Sequence, residues 1–352
     1  MAMQPLLKPN LLRAGDRIAA VSLSSGAAAR FPHRYQAGCR QLEAEYGVTV
    51  TSMPNALRPH EFLAANPQAR ADDLIQALED DTISGIFSTI GGDDSIRLLP
   101  LIDPAHIRRH PKPFLGMSDT TITHFQFLAA GVASFYGPAI MTGFAENCGM
   151  HAYTRDAVRR ALFEPETERR LPENPEGWTV EHLDWQDPVN QGIRRRLQPP
   201  MPWRFAQGEG VVCGRLIGGC IEVLDWLRGT SVWPAAHEWE GSILFIETSE
   251  EAPEPLAMLR MLRCLAAVGV LERVEGVLLG RPGGAKVDPA RFSEWEIALL
   301  GALREAGRED TAVVTRMDFG HTDPVAVLPF GSLAEIDCVR KQIRLHPGAA
   351  LK

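Results

Sequence analysis

Residues 85–95 read Gly-Ile-Phe-Ser-Thr-Ile-Gly-Gly-Asp-Asp-Ser, an apolar run that stops abruptly at paired glycines and acidic residues. A short apolar run bounded by such a turn signal is typical of a buried strand. Outward from it, apolar runs alternate with segments of helical spacing along residues 15–145, which predicts a parallel sheet flanked by helices. The predicted strands are 17–23, 47–50, 85–90 and 113–116, and the predicted helices are 34–46, 66–80, 95–101 and 119–130.

The composition changes in the middle of the chain, over residues 164–210. Seven prolines and three of the seven tryptophans fall there. Proline suits irregular backbone, so we predict a linker or lid loop between two domains. The first domain, residues 1–163, is expected to be Rossmann- or flavodoxin-like, and the second, residues 211–352, a smaller α/β domain. Predicted strands of the second domain are 211–217, 242–246, 276–279 and 311–315.

Charge and composition exclude several classes of partner. The 352 residues include 36 basic and 44 acidic side chains, a formal net charge of −8. A protein that neutralises phosphates usually has the opposite sign, so neither nucleic acid nor a membrane surface is an expected partner. The absence of a charged leader followed by an apolar run favours a cytoplasmic protein. The six cysteines form no Cys-x-x-Cys pair, so neither a disulfide framework nor a metal site is expected.

A serine follows the predicted strand at 113–116, in the sequence Leu-Gly-Met-Ser-Asp-Thr (115–120). A sharp strand-to-helix turn can hold Ser118 Oγ outward near helix N-terminal amides, as a nucleophile requires. The alternative, and the more frequent role of such residues, is that Ser118 or Asp119 caps the following helix. The segment also lacks the second glycine of the Gly-x-Ser-x-Gly elbow.

A nucleophilic serine needs a base and a group that orients the base. His321 is the candidate base, because the glycine before it would let the ring approach another group closely. The alternative is a loop histidine that hydrogen-bonds Asp318 or Asp323. Glu247 is the candidate orienting carboxylate, since it ends an apolar strand where α/β proteins assemble their sites. The alternative here is a helix-capping or surface glutamate in the acidic run 247–251.

The glycine-rich loop Ile-Gly-Gly-Asp-Asp at 90–94 offers backbone N–H groups that suit an oxyanion or a phosphate. The loop matches neither the dinucleotide fingerprint nor the phosphate loop of nucleotide-binding proteins. No nucleotide cofactor is therefore expected.

Six short motifs occur in order along the chain: Ser-Thr-Ile-Gly-Gly-Asp-Asp (88–94), Gly-Met-Ser-Asp-Thr-Thr (116–121), Phe-Tyr-Gly-Pro-Ala (135–139), Gly-Arg-Leu-Ile-Gly-Gly (214–219), Leu-Phe-Ile-Glu-Thr-Ser (244–249) and Phe-Gly-His-Thr (319–322). Together they resemble the LD-carboxypeptidase family of serine peptidases across nearly the whole chain. The Gly-Gly-Asp-Asp loop is similar to the branch typified by the microcin C immunity protein. Muropeptide enzymes of the family usually have a Gly-Gly-Tyr-Gly type of sequence there.

The resemblance implies a Ser–His–Glu triad, which falls on Ser118, His321 and Glu247 and lies between the two domains. It also implies that backbone amides of Gly92 and Asp119 hold the oxyanion, that no metal or organic cofactor is needed, and that the protein is a homodimer. A histidine base would ionise near its ordinary pKa of about 6.5, subject to a shift from Glu247.

The resemblance also suggests substrate contacts. The immunity-type branch stacks a tryptophan of the inter-domain loop on an adenine, and Trp185 takes that position here. Asp93 and Cys220 are further candidate substrate contacts, although Cys220 replaces an asparagine of that branch and the acidic Glu250 and Glu251 replace a basic stretch.

The expected activity is that of a serine carboxypeptidase-type hydrolase acting on aminoacyl-nucleotide or related amides. One alternative is a muropeptide LD-carboxypeptidase that removes a terminal D-amino acid in cell-wall recycling. A non-catalytic small-molecule binder is the other.

Overall fold

The computed structural model describes residues 6–165 and 168–346, which form a mixed α/β protein with two sheets. In chain order the strands are β1 (Arg17–Val21), β2 (Thr49–Ser52), β3 (Gly85–Ser88), β4 (Phe114–Gly116), β5 (Ser134–Tyr136), β6 (Arg169–Arg170), β7 (Arg204–Gln207), β8 (Val211–Cys220), β9 (Ile243–Glu247), β10 (Gly276–Gly280), β11 (Ala312–Met317), β12 (Leu328–Phe330), β13 (Leu333–Asp337) and β14 (Gln342–Leu345). The α-helices are α1 (Ala27–Arg30), α2 (Pro32–Tyr46), α3 (His60–Ala65), α4 (Pro67–Glu79), α5 (Pro104–Arg109), α6 (Thr121–Ala129), α7 (Ala152–Leu162), α8 (Ile221–Leu227), α9 (Pro255–Ala267) and α10 (Phe292–Glu305). Across these ranges, none of the helices has the length and apolar character needed to cross a bilayer.

The first sheet has the strand order β12-β5-β4-β3-β1-β2. Strands β1 to β5 are parallel, as the alternating pattern predicts, and the order reverses direction at β1 and β3 as in doubly wound sheets. The edge strand β12 comes from far along the chain and pairs antiparallel with β5, with Leu328 opposite Tyr136.

The second sheet has the strand order β6-β14-β13-β8-β9-β10-β11-β7. Its centre, β8 to β11, is parallel, whereas the outer strands pair antiparallel. Strand β9 is buried along its whole length. Each of its large apolar side chains contributes roughly 1.5–3 kcal/mol by leaving water, which makes this strand a rigid support for the carboxylate at its end.

The structure confirms the predicted α/β class and corrects some of its local detail. The predicted helix at 95–101 is a 3₁₀ helix with Pro100 inside it, and proline removes the backbone donor that an α-helix would need there. The proline-rich segment 164–210 also supplies β6 and β7, which lie at the two outer edges of the second sheet. The division of the chain at residues 163 and 210 stays a prediction.

The carboxyl ends of the two parallel sheets meet. Gly219 and Cys220, at the end of β8, lie against Thr121 at the start of α6: the Cys220 N–H donates to Thr121 Oγ1 at 3.2 Å. A Cβ at Gly219 would lie 2.5 Å from that same oxygen, so only glycine allows this approach. The rings of Tyr136 and Phe245 pack edge to face across the same junction, 5.3 Å apart. Residues that end β4, β5, β8 and β9 are therefore brought to one place.

Candidate active site

Ser118 lies in the sharp turn between β4 and α6. Its backbone φ angle is +63°, a left-handed value that residues other than glycine rarely adopt. This conformation costs roughly 1–3 kcal/mol. Two bonds hold the turn: the Ser118 N–H donates to Tyr136 Oη at 3.0 Å, and Thr121 Oγ1 donates to the Ser118 carbonyl at 2.7 Å. Gly91 packs against the serine, since a Cβ there would lie 3.0 Å from Oγ. Neither Ser118 nor Asp119 caps the helix that follows it with its side chain, so that alternative is wrong.

His321 lies next to Ser118 in the structure. Its Nε2 is 3.1 Å from Ser118 Oγ, and its Nδ1 is 2.7 Å from Glu247 Oε2. Gly320 makes the second approach possible: it has φ +95°, and a Cβ there would fall 2.6 Å from Glu247 Oε2. The sequence predicted that this glycine would allow His321 to approach another group closely, and in the structure that group is Glu247.

Glu247 ends β9 and is fully buried, so the surface alternative for this residue is wrong. The two carboxylates considered as other partners of His321 are engaged elsewhere. Asp318 pairs with Arg281 at 2.5 Å, and Asp323 pairs with Arg195 at 2.7 Å. Of these three carboxylates, only Glu247 is hydrogen-bonded to the imidazole ring.

Tyr136, at the end of β5, is the residue of this site that sequence reasoning missed. It accepts the Ser118 N–H, and its own O–H donates to Glu247 Oε1 at 2.6 Å. Burial, followed by the charge of Glu247, raises the tyrosine pKa well above its usual range, which keeps the O–H as a donor. With His321, these bonds close a ring that links the backbone of the serine to the carboxylate. The available signal was its place in the Phe-Tyr-Gly-Pro-Ala motif.

The electrostatics of His321 favour the imidazolium. Burial alone would lower the pKa of the ring, but the Glu247 carboxylate, with smaller effects from Glu250 and Glu222, raises the pKa to about 9. The pKa of His321 is therefore higher than the expected value of about 6.5, and the sequence did not predict the size of this shift. At neutral pH most molecules have a protonated His321 in the free protein.

The glycine loop adjoins the serine turn as an oxyanion site requires. Asp119 Oδ2 accepts the backbone N–H groups of Asp94 and Ser95 at 3.1 and 2.8 Å, which fixes the loop against the turn. Gly92 has φ +148° and is exposed. Within residues 6–165 and 168–346, the backbone N–H groups of Gly92 and Asp119 have no hydrogen-bond acceptor. Their role as oxyanion donors stays a prediction.

Trp185 has neighbours of its own, apart from the triad. Its ring packs edge to face with Phe31 at 5.8 Å, and the Arg34 guanidinium lies 4.2 Å from the ring centre. Together with Arg195 and Asp323, the tryptophan and Arg34 line a pocket of about 310 Å³. None of the three residues Ser118, His321 and Glu247 lines this pocket.

The other two candidate substrate contacts differ in accessibility. Asp93 is exposed beside Gly92. Cys220 is only 1% exposed, and its thiol donates to Glu222 Oε2 at 3.3 Å. Burial, more than the nearby Glu247 and Glu222, raises the pKa of this thiol well above its usual range. The thiol is therefore neutral and turned toward Glu222, and substrate contacts of both residues stay predictions.

One group of potential metal ligands occurs in the described part of the chain, on α4 and α5. Ligand atoms of Glu79, His106 and His110 lie within 4.8 Å of one another. Glu79 Oε1 is 2.9 Å from His106 Nε2, and the Arg109 guanidinium is 3.2 Å from the other ring nitrogen of His106. The His106 ring is thus already in contact with a carboxylate and a guanidinium.

Comparison with known proteins finds relatives along most of the chain. The LD-carboxypeptidase N-terminal domain matches residues 18–137, and the LD-carboxypeptidase C-terminal domain matches residues 213–336. A putative carboxypeptidase of Vibrio cholerae is 30% identical over 335 residues, which cover 94% of this chain and 95% of the relative. The microcin C7 self-immunity protein MccF of Escherichia coli is 28% identical over 335 residues, covering 95% of this chain and 94% of its own.

The solved structures include a similar fold. An MccF-like protein from Streptococcus pneumoniae, in complex with AMP, matches with a TM-score of 0.84 and 30% identity. The match covers 94% of this chain and 98% of that protein.

Proposed function

The chain belongs to the LD-carboxypeptidase family and is a serine carboxypeptidase-type hydrolase, and on this premise we propose that Ser118, His321 and Glu247 are its catalytic triad. One observation carries the proposal: an unbroken series of contacts runs from Ser118 Oγ through the His321 ring to Glu247, at 3.1 and 2.7 Å. In this arrangement the nucleophile belongs to residues 1–163, and the base and carboxylate belong to residues 211–352.

The proposed mechanism is acyl transfer through two tetrahedral intermediates. Neutral His321 accepts the Ser118 proton as Oγ attacks the amide carbonyl, and Glu247 stabilises the imidazolium that forms. The amides of Gly92 and Asp119 stabilise the oxyanion, an effect of roughly 3–4 kcal/mol for each donor. His321 then protonates the leaving amine, and a water molecule activated by the same ring hydrolyses the acyl-enzyme.

We propose an aminoacyl-nucleotide or a related amide as the substrate. The Streptococcus pneumoniae relative was solved with AMP, and Trp185, the loop tryptophan of this chain, borders a pocket that Arg34 also lines. An aromatic face suits a nucleobase, and guanidinium groups suit a phosphate. The same proposal includes a homodimer, as is typical of the family, and a cytoplasmic location.

The decisive experiment follows two candidate substrates by mass spectrometry: an aminoacyl-nucleotide amide and a muropeptide tetrapeptide. Release of the amino acid from the nucleotide by wild-type protein, and not by Ser118→Ala, supports the proposal. Cleavage of the tetrapeptide alone favours the muropeptide alternative. Cleavage of neither, with tight binding of one, favours a non-catalytic binding protein.

A further inference from the structure

The Nε2 atom of His321, which faces Ser118, lies close to two side chains. Nε2 is 3.1 Å from Ser118 Oγ and also 3.2 Å from Glu250 Oε2. An imidazole nitrogen has one in-plane position for a proton or a lone pair, so it cannot serve both partners well at once. Glu250 and Ser118 therefore compete for the same atom.

The backbone around Glu250 is held in place, whereas its side chain is free to move. The preceding Ser249 is anchored by Glu222, which accepts both its N–H at 3.1 Å and its hydroxyl at 2.5 Å. On the other side, a Cβ at Gly284 would lie 2.5 Å from the Glu250 carbonyl oxygen, so the two loops are in close contact. The Glu250 side chain itself is 74% exposed. Rotation of this side chain alone is enough to uncover Nε2.

We propose that Glu250 is a positioning residue that covers His321 Nε2 in the free enzyme and swings away when the substrate binds. The inference rests on the proposed function, in which His321 is the base. The leaving amine must receive its proton from Nε2, so it has to occupy the side of the ring that Glu250 covers. Until then the carboxylate stabilises the protonated ring and keeps the base inactive.

The three carboxylates near the His321 ring all shift its pKa in the same direction. Glu247 faces Nδ1 from β9, Glu222 acts from α8, and Glu250 faces Nε2; each raises the pKa of His321. The loop after β10 packs on the His321 Cβ atom through uncharged Gly283, and Arg281, earlier in this loop, is paired with Asp318. Among residues 6–165 and 168–346, Glu250 forms no ion pair with an arginine or lysine that would cancel its effect on His321.

The size of the Glu250 contribution to the His321 pKa follows from the distance between the two groups and from the exposure of the carboxylate. Two charges 3.2 Å apart, screened almost as in water, move a pKa by about one unit. In Glu250→Gln the His321 ionisation should fall by about one pH unit. At pH 7, below both midpoints, the neutral fraction then rises about tenfold, and kcat/KM by about three- to tenfold because a less basic ring transfers protons less readily.

The test measures His321 directly, by the pH titration of its ring C–H signals in NMR of the free enzyme. Glu250→Gln and Glu250→Ala should both lower the midpoint by about one pH unit. Glu251→Gln is the matched control: this neighbouring glutamate is exposed and forms no ion pair with His321 among the described residues, so it should leave the midpoint unchanged. Inactivation by a serine-directed fluorophosphonate should show the same order of midpoints.

Two results would overturn the inference: a Glu250→Gln midpoint equal to that of the wild type, or an equal fall in Glu251→Gln. The first means that Glu250 does not sit on Nε2, and the second that any nearby charge has the same effect. The NMR readout does not depend on turnover. Failure of the proposed function would instead appear as full activity in Ser118→Ala, so the two failures are distinguishable.

Discussion

Replacing Glu247 by glutamine keeps the shape of the side chain and removes the charge beside His321 Nδ1. The contact is 2.7 Å long and buried, and the pKa of His321 stands at about 9 against an ordinary 6.5. That difference corresponds to about 3 kcal/mol in favour of the imidazolium. In Glu247→Gln the burial of the ring is opposed only by Glu250 and Glu222, so the pKa should fall well below 9. The rate should also fall, by roughly 10⁴ at most, since the imidazolium of the transition state loses its partner.

The same change alters how stability depends on pH. A histidine whose pKa is raised by folding stabilises the native state in full below about 6.5, and this contribution is lost as the pH rises through about 9. From this group alone, the wild-type free energy of unfolding should therefore fall by about 1.4 kcal/mol per pH unit across that window. Glu247→Gln should flatten the slope, whereas Glu251→Gln should keep it.

Two assays check this reasoning: urea unfolding at pH 6, 7, 8 and 9, and kcat/KM over the same range. The wild-type kcat/KM should rise with pH toward a midpoint near 9, and the Glu247→Gln midpoint should be lower. Parallel unfolding profiles and identical midpoints in the two proteins would refute the assignment of Glu247 as the group that holds the His321 proton.

Three further substitutions test other parts of the site. Ser118→Ala should lower kcat by roughly 10⁴–10⁶ with almost unchanged unfolding, and a variant that keeps more than about a tenth of wild-type kcat would exclude Ser118 as nucleophile. Tyr136→Phe leaves Glu247 Oε1 buried without its donor, so it should cost roughly 1–3 kcal/mol in urea unfolding and lower kcat more than it changes KM; unchanged values of both would contradict the hydrogen-bonded ring. Trp185→Ala should raise KM for an adenylated substrate by roughly 5- to 150-fold and hardly affect a short peptide substrate, whereas equal losses on both would indicate a packing role.

Local sequence patterns explain why the positions of the proposed nucleophile and of its proposed carboxylate could be predicted from the sequence. Ser118 and Glu247 each follow an apolar run, and the carboxyl end of a buried parallel strand is a recognisable position. That His321 meets both is a matter of tertiary structure, because 74 residues separate it from Glu247. Only the resemblance of the motifs to a family joined the three residues in advance.

Other features depend on contacts that no local pattern carries. The part played by Tyr136 arises from a contact between the two sheets, and β5 has only three residues, too few for a periodic signal. The upward pKa of His321 is the balance of burial against three carboxylates, and burial is known only once the chain is folded. The 3₁₀ geometry at 95–101 could have been predicted from the sequence, because Pro100 disfavours an α-helix there.

The pairing of β12 with β5 has a consequence for how the protein is made. Until residue 330 has been synthesised, a nascent chain that has already folded β1 to β5 presents β5 as an open edge, and open edges recruit other strands. The residues just before β12 include His321, so the segment that closes this edge also places the proposed base beside Ser118. Completion of the first sheet and placement of His321 beside Ser118 thus depend on the same segment, and a chain that ends before residue 321 lacks the imidazole that contacts the serine.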